Sequence, residues 1–111
     1  MSEIRKDFIK FMKVLADQTR LDILDLLNHE KSTSSQIQST LDKSQSTISQ
    51  HLKVLSNTNL IIFERINNVK YYKIKNQDLF RLLADIKSLV ARIKKERLQA
   101  MSNEDIIDTL L

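Results

Sequence analysis

Cysteine, glycine and proline are all absent from the 111-residue chain. The first absence removes disulfides, thiol redox switching, thiolate metal ligands and cysteine nucleophiles together, and it points to a reducing, cytoplasmic setting. The second removes the phosphate-binding P-loop and the dinucleotide fingerprint, since both need glycine where the backbone closes on phosphate. With neither glycine nor proline, the turns fall to Asn, Asp, Ser and Lys, among which Asn and Asp best tolerate a left-handed backbone. Long apolar runs are missing as well. The longest aliphatic run, Leu60 to Phe63, is far too short to cross a bilayer, and the charged opening, Met1 to Phe8, lacks the apolar core of a signal peptide. No membrane partner is expected.

What remains is a globular composition. Hydrophobic residues make up 41% of the chain and charged residues 29%, values that support a packed core and argue against disorder. The length suits one domain, 1–111, and is short for two. A formal charge of +4 favours a polyanionic partner, although so small an excess also suits an ordinary solvated surface.

Apolar spacing sets out the elements. Ile4, Phe8, Phe11 and Leu15 recur on one helical face, which predicts a helix over Ser2 to Ala16. Asp17 caps a second helix carrying Leu21, Ile23, Leu24 and Leu27 and ending at Asn28. Thr33 and Gln36 form a capping box for a short third helix with Ile37 and Leu41. Ser44 caps a fourth, running to about Thr58. After Leu60 the period becomes extended, and IIFER and VKYYKI read as two strands joined by a tight turn at Asn67 and Asn68. Asn76 caps a long final helix with an apolar stripe of Leu79, Leu82, Leu83, Ile86, Leu89, Val90 and Ile93. Ser102 and Asp105 suggest a further short helix with Ile106, Ile107, Leu110 and Leu111. The expected fold is mainly α with a small β-hairpin, in the order α-α-α-α-β-β-α-(α). Two short helices joined at LDKS and followed by a hairpin make a winged helix-turn-helix.

The fourth helix carries the densest polar pattern, SQSTISQHLKVL at Ser44 to Leu55. At about 100° per residue, Ile48, Leu52 and Leu55 share one side, with Thr47, His51 and Val54 on its shoulder. Opposite lie Ser46, Ser49, Gln50 and Lys53, with Gln45 at the edge. Any surface helix has a polar face, but Ser44 to Thr58 contains no Asp or Glu while the rest of the chain mixes both signs. An acid-free face of Gln, Ser and Lys suits a DNA groove, where Gln pairs with adenine and Lys meets phosphate. The serines and His51 do not suggest catalysis. A nucleophile, a histidine and an orienting acid must converge, and no acid lies within a helical turn of His51. The hydroxyl one turn earlier, Thr47, is expected to make a local hydrogen bond with it. The chain is not expected to be an enzyme.

LADQTRLDILDLL at Leu15 to Leu27, SQSTISQHLKVL, and LIIFERINNVKYYKI at Leu60 to Ile74 resemble, in order and spacing, the ArsR/SmtB-type winged-helix transcriptional repressors. The likeness covers roughly Leu15 to Leu89. It implies a homodimer in which the first and last helices pair, a recognition helix formed by the Ser/His motif, and a hairpin wing against the DNA backbone. Ile4, Phe8, Phe11, Leu15, Leu82, Ile86, Leu89, Val90 and Ile93 are then the dimer residues. Their stripes also exceed what a small core needs, so a partner surface is expected, unless both helices fold back on their own domain.

The DNA set on the recognition helix is Gln45, Ser46, Thr47, Ser49, Gln50 and Lys53, and on the wing Arg65, Asn67, Asn68 and Lys70. Arg20 matches a family arginine of structural role, and His51 a family histidine of the same kind. Departures are Gln18, where the family has proline, and Asn67, near where it has glycine; Asn supplies the same positive φ. Relatives that sense soft metals use cysteines, absent here, and those that sense zinc-like metals use histidines on the last helix, where this chain offers Asp85 and no histidine. Neither metal nor cofactor is expected. The function implied is a double-stranded-DNA-binding regulator, acting as a repressor on an inverted repeat. The rival is a winged-helix protein-interaction module; an organic ligand between the dimer helices finds no convergent polar group in the stripes.

Overall fold

The computed structural model describes residues 2–110, with Ile106 defined in its backbone alone. The elements are α1 (Glu3–Leu15), α2 (Gln18–His29), α3 (Ser34–Leu41), α4 (Gln45–Asn57), β1 (Ile61–Ile66), β2 (Val69–Ile74) and α5 (Asp78–Leu110). They divide into two compact units at the Gln77/Asp78 junction.

In the first unit each helix starts where a short polar side chain can take up a free backbone N–H. Ser2 Oγ accepts from Arg5 N at 3.2 Å, Asp17 Oδ1 from Arg20 N at 3.0 Å, and Ser44 Oγ from Thr47 N at 3.2 Å. Thr33 and Gln36 complete a reciprocal box, with Gln36 N donating to Thr33 Oγ1 at 3.1 Å and Thr33 N to Gln36 Oε1 at 2.8 Å. The apolar side of each helix then turns inward. Ile23, Leu24, Ile37, Ile48, Leu55 and Ile61 are fully buried, and α2 lies at the centre, packed against α1, α3, α4 and β2.

Among the described residues of this glycine-free chain, four take a positive φ: Asp42 at 53°, Asn59 at 60°, Asn67 at 52° and Asn68 at 65°. Each sits where the chain must reverse. Asp42 ends α3 and makes the helix-turn-helix turn; Asn67 and Asn68 form the two-residue hairpin loop, whose paired positive φ values are those of a type I′ turn. The strands pair antiparallel from Ile61↔Ile74 to Ile66↔Val69. Ser32 extends this ribbon by one bridge, donating from its N–H to Tyr72 O at 3.0 Å and accepting from Tyr72 N at 2.8 Å. The sequence offered no periodicity from which one such bridge could be read.

The second unit is α5 alone, 33 residues long. It starts at Asp78, two residues beyond Asn76, with an acidic side chain in the first turn where the helix dipole favours it. It also continues through Ser102 and Asp105 without a break, so the separate C-terminal helix is not formed. Ala100 and Met101 are good helix formers, and no glycine or proline interrupts the segment; Thr109 Oγ1 donates back to Asp105 O at 2.8 Å within the same helix. Leu111 and the Ile106 side chain, assigned to that short helix, lie outside the described residues. No helix among the described residues is long and apolar enough to cross a membrane.

One dimer residue is reassigned. Leu15 shares a helical face with Ile4 and Phe8, yet it is 5% exposed while Ile4 is 76% and Phe8 60% exposed. Only the last turn of α1, with Val14 and Leu15, belongs to the core; its N-terminal half overhangs.

Asp17→Ala should cost about 0.5–2 kcal/mol in urea unfolding, through loss of the α2 cap. The backbone N–H of Arg20, helped by the guanidinium charge of the same residue and opposed by burial, holds the Asp17 carboxyl below its ordinary pKa. Because the folded value is the lower one, this stabilisation is complete above the unfolded pKa and drains as pH falls through the folded value. Asp17→Asn should therefore show a flatter loss of stability on acidification. Asn68→Ala should destabilise by about 1–2 kcal/mol, as an alanine in the left-handed region does, whereas Asn68→Gly should not.

Candidate nucleic-acid interface

The fourth helix is held by Ile48, Leu52 and Leu55, all buried. This leaves Gln45, Ser46, Ser49, Gln50 and Lys53 exposed, as their spacing predicts. Among the described residues Gln45, Ser49, Gln50 and Lys53 have no hydrogen-bond or ionic partner. Two hydroxyls are already engaged: Ser46 Oγ lies 3.2 Å from Ser44 Oγ, and Thr47 Oγ1 accepts from Ser44 Oγ at 2.9 Å. Thr47 is half-buried, so of the six helix positions it is the least available. Its hydroxyl turns to the cap, and the local bond to His51 is not made.

His51 is occupied elsewhere. A guanidinium has no acceptor, so the 3.1 Å contact of Arg20 Nη1 with His51 Nδ1 has Arg20 as donor and leaves that ring nitrogen unprotonated. Asp17 Oδ1 stands 4.0 Å from the same nitrogen. The acid that the sequence near His51 lacks thus arrives from the cap of α2, and Arg20 contacts both residues. Arg20 also donates from Nε to Val14 O at 2.7 Å and from Nη2 to Lys13 O at 3.2 Å. These are carbonyls of the last turn of α1, which have no partner inside their own helix. Arg20 thus joins the end of α1 to the start of α2 and to α4.

On the hairpin, alternation sorts the side chains onto two faces. Phe63, Arg65, Lys70 and Tyr72 share one. Arg65 and Lys70 are directly opposite in register, a like-charge pair that repels at cross-strand distance. Phe63 lies beneath both: the Lys70 ammonium is 4.5 Å and the Arg65 guanidinium carbon 5.8 Å from its ring centre. Tyr72 tilts against Phe63, with centroids 5.9 Å apart. Neither cation has an acidic partner among the described residues, and Asn67 and Asn68 are exposed at the tip.

On the other face the acid is paired. Glu64 accepts from Lys31 at 2.8 Å and from Lys73 at 3.3 Å, and these two ammonium groups hold its carboxyl below the usual range. The acid nearest the wing cations in sequence is therefore committed to two lysines, one of which joins the hairpin to the loop between α2 and α3. This bridge was not legible in the sequence, because its partners lie 33 residues apart.

On α1 and α5, Ile4, Phe8, Leu82, Leu89, Val90 and Ile93 are exposed, and Phe11 and Ile86 are half-buried. In α5 the stripe of Leu79, Leu82, Ile86, Leu89 and Ile93 alternates steps of three and four, the heptad spacing of helices that pair.

Residues 17–62 match the family model described as "Bacterial regulatory protein, arsR family". The chain is 31% identical over 96 residues to the arsenical resistance operon repressor of Bacillus subtilis, covering 86% of this chain and 91% of that one. The fold is similar to the crystal structure of Rv0081 from Mycobacterium tuberculosis, with a TM-score of 0.81 and 28% identity over 88% of this chain and 99% of that one. It also resembles the solution structure of a homodimeric winged helix-turn-helix DNA-binding domain from Mycobacterium bovis, with a TM-score of 0.71, 26% identity, and coverage of 82% and 88% respectively. Sequence likeness along most of its length and a helix-turn-helix carrying a wing agree: the chain belongs to the arsR family of bacterial regulatory proteins, transcriptional regulators of winged helix-turn-helix fold.

Proposed function

We propose that the protein is a homodimeric repressor that reads an inverted repeat in double-stranded DNA, with the α4 helices of two copies in major grooves about 34 Å apart. The observation that carries this reading is the acid-free outer surface of α4, where Gln45, Ser49, Gln50 and Lys53 are exposed and unengaged. Gln45 and Gln50 have the bidentate amides that suit adenine, Ser46 and Ser49 reach bases or phosphates, Thr47 is a lesser contributor, and Lys53 meets phosphate. The unneutralised pair Arg65 and Lys70 makes the wing a phosphate contact, with Asn67 and Asn68 beside it.

Dimerisation is supported by the overhanging face of α1 and the heptad stripe of α5. Isoleucine at Ile86 and Ile93 alternates with leucine at Leu82 and Leu89, the combination that favours two-stranded packing. Ile4, Phe8, Phe11, Leu82, Ile86, Leu89, Val90 and Ile93 are the interface residues of this reading, without Leu15. The Mycobacterium bovis domain is described as homodimeric and the Bacillus subtilis relative as an operon repressor, which favours the same arrangement and the same sign of control. Control by the family's cysteine or histidine metal sets is not part of the reading, since the chain has no cysteine and α5 no histidine.

Duplex binding should weaken steeply with salt, as several phosphate contacts release counterions; a fluorescence-anisotropy titration that finds no duplex binding at low salt would instead favour a protein-interaction module. Gln50→Ala should cost about 1–3 kcal/mol on the selected site and little on random DNA, whereas Lys70→Ala should weaken both alike and lower the salt slope by about 1. Equal losses for Gln50→Ala on both duplexes would remove it from the reading set. Phe8→Glu should yield folded monomers in sedimentation, since burying an unpaired charge at an apolar interface is costly.

A further inference from the structure

The exposed surface of α4 meets the groove, but what fixes its attitude is a contact on its shoulder. Between α1 and the end of α4 lies an open cleft of about 390 Å³, lined by Asp7, Lys10 and Phe11 on one side and Asn57, Thr58 and Asn59 on the other. Along that stretch the two helices are not pressed together. Beside the cleft they are joined through Arg20, whose side chain is 17% exposed and carries three directional bonds: two to carbonyls in the last turn of α1 and one to His51 on α4. Asp17, which caps α2 through the Arg20 N–H, lies 3.9 Å from the same guanidinium and holds the fork from a third side.

We propose that Arg20 is a positioning residue for DNA reading, fixing the recognition helix to the end of the overhanging helix α1 through the His51 Nδ1 lone pair. This rests on α4 being the recognition helix. A planar fork with donors at fixed angles transmits orientation as well as distance, which a lysine cannot do. His51 contributes an acceptor rather than bulk or charge. Because α1 carries the apolar overhang of the dimer reading, the arrangement of the two copies reaches the groove-facing side chains through one guanidinium. Subunit pairing and DNA affinity are coupled at this residue.

The substitutions separate geometry from packing. His51→Leu keeps an apolar bulk and removes the acceptor, His51→Asn offers an oxygen where Nδ1 stands, and Arg20→Lys keeps the charge and loses the fork. With thermal melts and sedimentation confirming folded dimers, His51→Leu and Arg20→Lys should each bind the selected duplex about tenfold more weakly, the scale of one hydrogen bond to a charged group. His51→Asn should restore most of the affinity. The double variant R20K/H51L should bind no more weakly than the worse single variant, because both remove one shared contact. Folded variants that bind like the unaltered chain, or losses that add in the double variant, would overturn the proposal. Should the variants not fold, ¹⁵N spectra of the imidazole in the unaltered protein decide: Nε2–H with a bare Nδ1 is expected, and a hydrogen on Nδ1 overturns it. Failure of the unaltered chain to bind any duplex would remove the DNA reading itself, a result distinct from normal binding by the variants.

Discussion

One guanidinium near the start of α2 ties together the parts on which the rest of the molecule depends. Arg20 closes the open carbonyl end of α1, stands against the carboxylate that caps α2, and holds the histidine of α4. These tasks are normally distributed among helix-terminal glycines and separate capping residues, and this chain has no glycine. α1 ends at Leu15 and α2 begins at Gln18, so a long side chain from the next helix reaches back to finish the previous one. A half-buried arginine with directional acceptors on two elements costs some desolvation but restricts their relative geometry.

The helices and the hairpin were legible because their determinants are local. Asp17, Thr33 and Ser44 each cap the helix that follows, and the paired asparagines of the wing take the left-handed backbone that no glycine is present to supply. The exposed face of α4 was legible for the same reason: a buried triad at helical spacing fixes where every other side chain points. What the sequence did not reveal are contacts made across long separations, such as Arg20 with His51, Lys31 with Glu64, and Ser32 with Tyr72. Periodicity carries no information about which loop a helix shoulder will meet.

Two local rules also misled in instructive ways. Leu15 lies on the same helical face as Ile4 and Phe8, but a helix can leave the core partway along its length, and spacing alone does not mark that point. Ser102 and Asp105 have the spacing of a helix start, yet a capping pair begins a helix only where the preceding chain has stopped being one. With good helix formers on both sides, continuing the hydrogen-bond ladder outweighs restarting it.

The cross-strand pair Arg65 and Lys70 has an energetic consequence for the unliganded protein. Two cations facing each other in register over one aromatic ring repel each other while the ring attracts both, and an anion between them would offset the repulsion. In the proposed DNA complex, part of the wing's affinity for phosphate would be relief of a repulsion that the free state already carries. Dissolved salt acts on this in two ways, calming the empty wing while screening the attraction it offers.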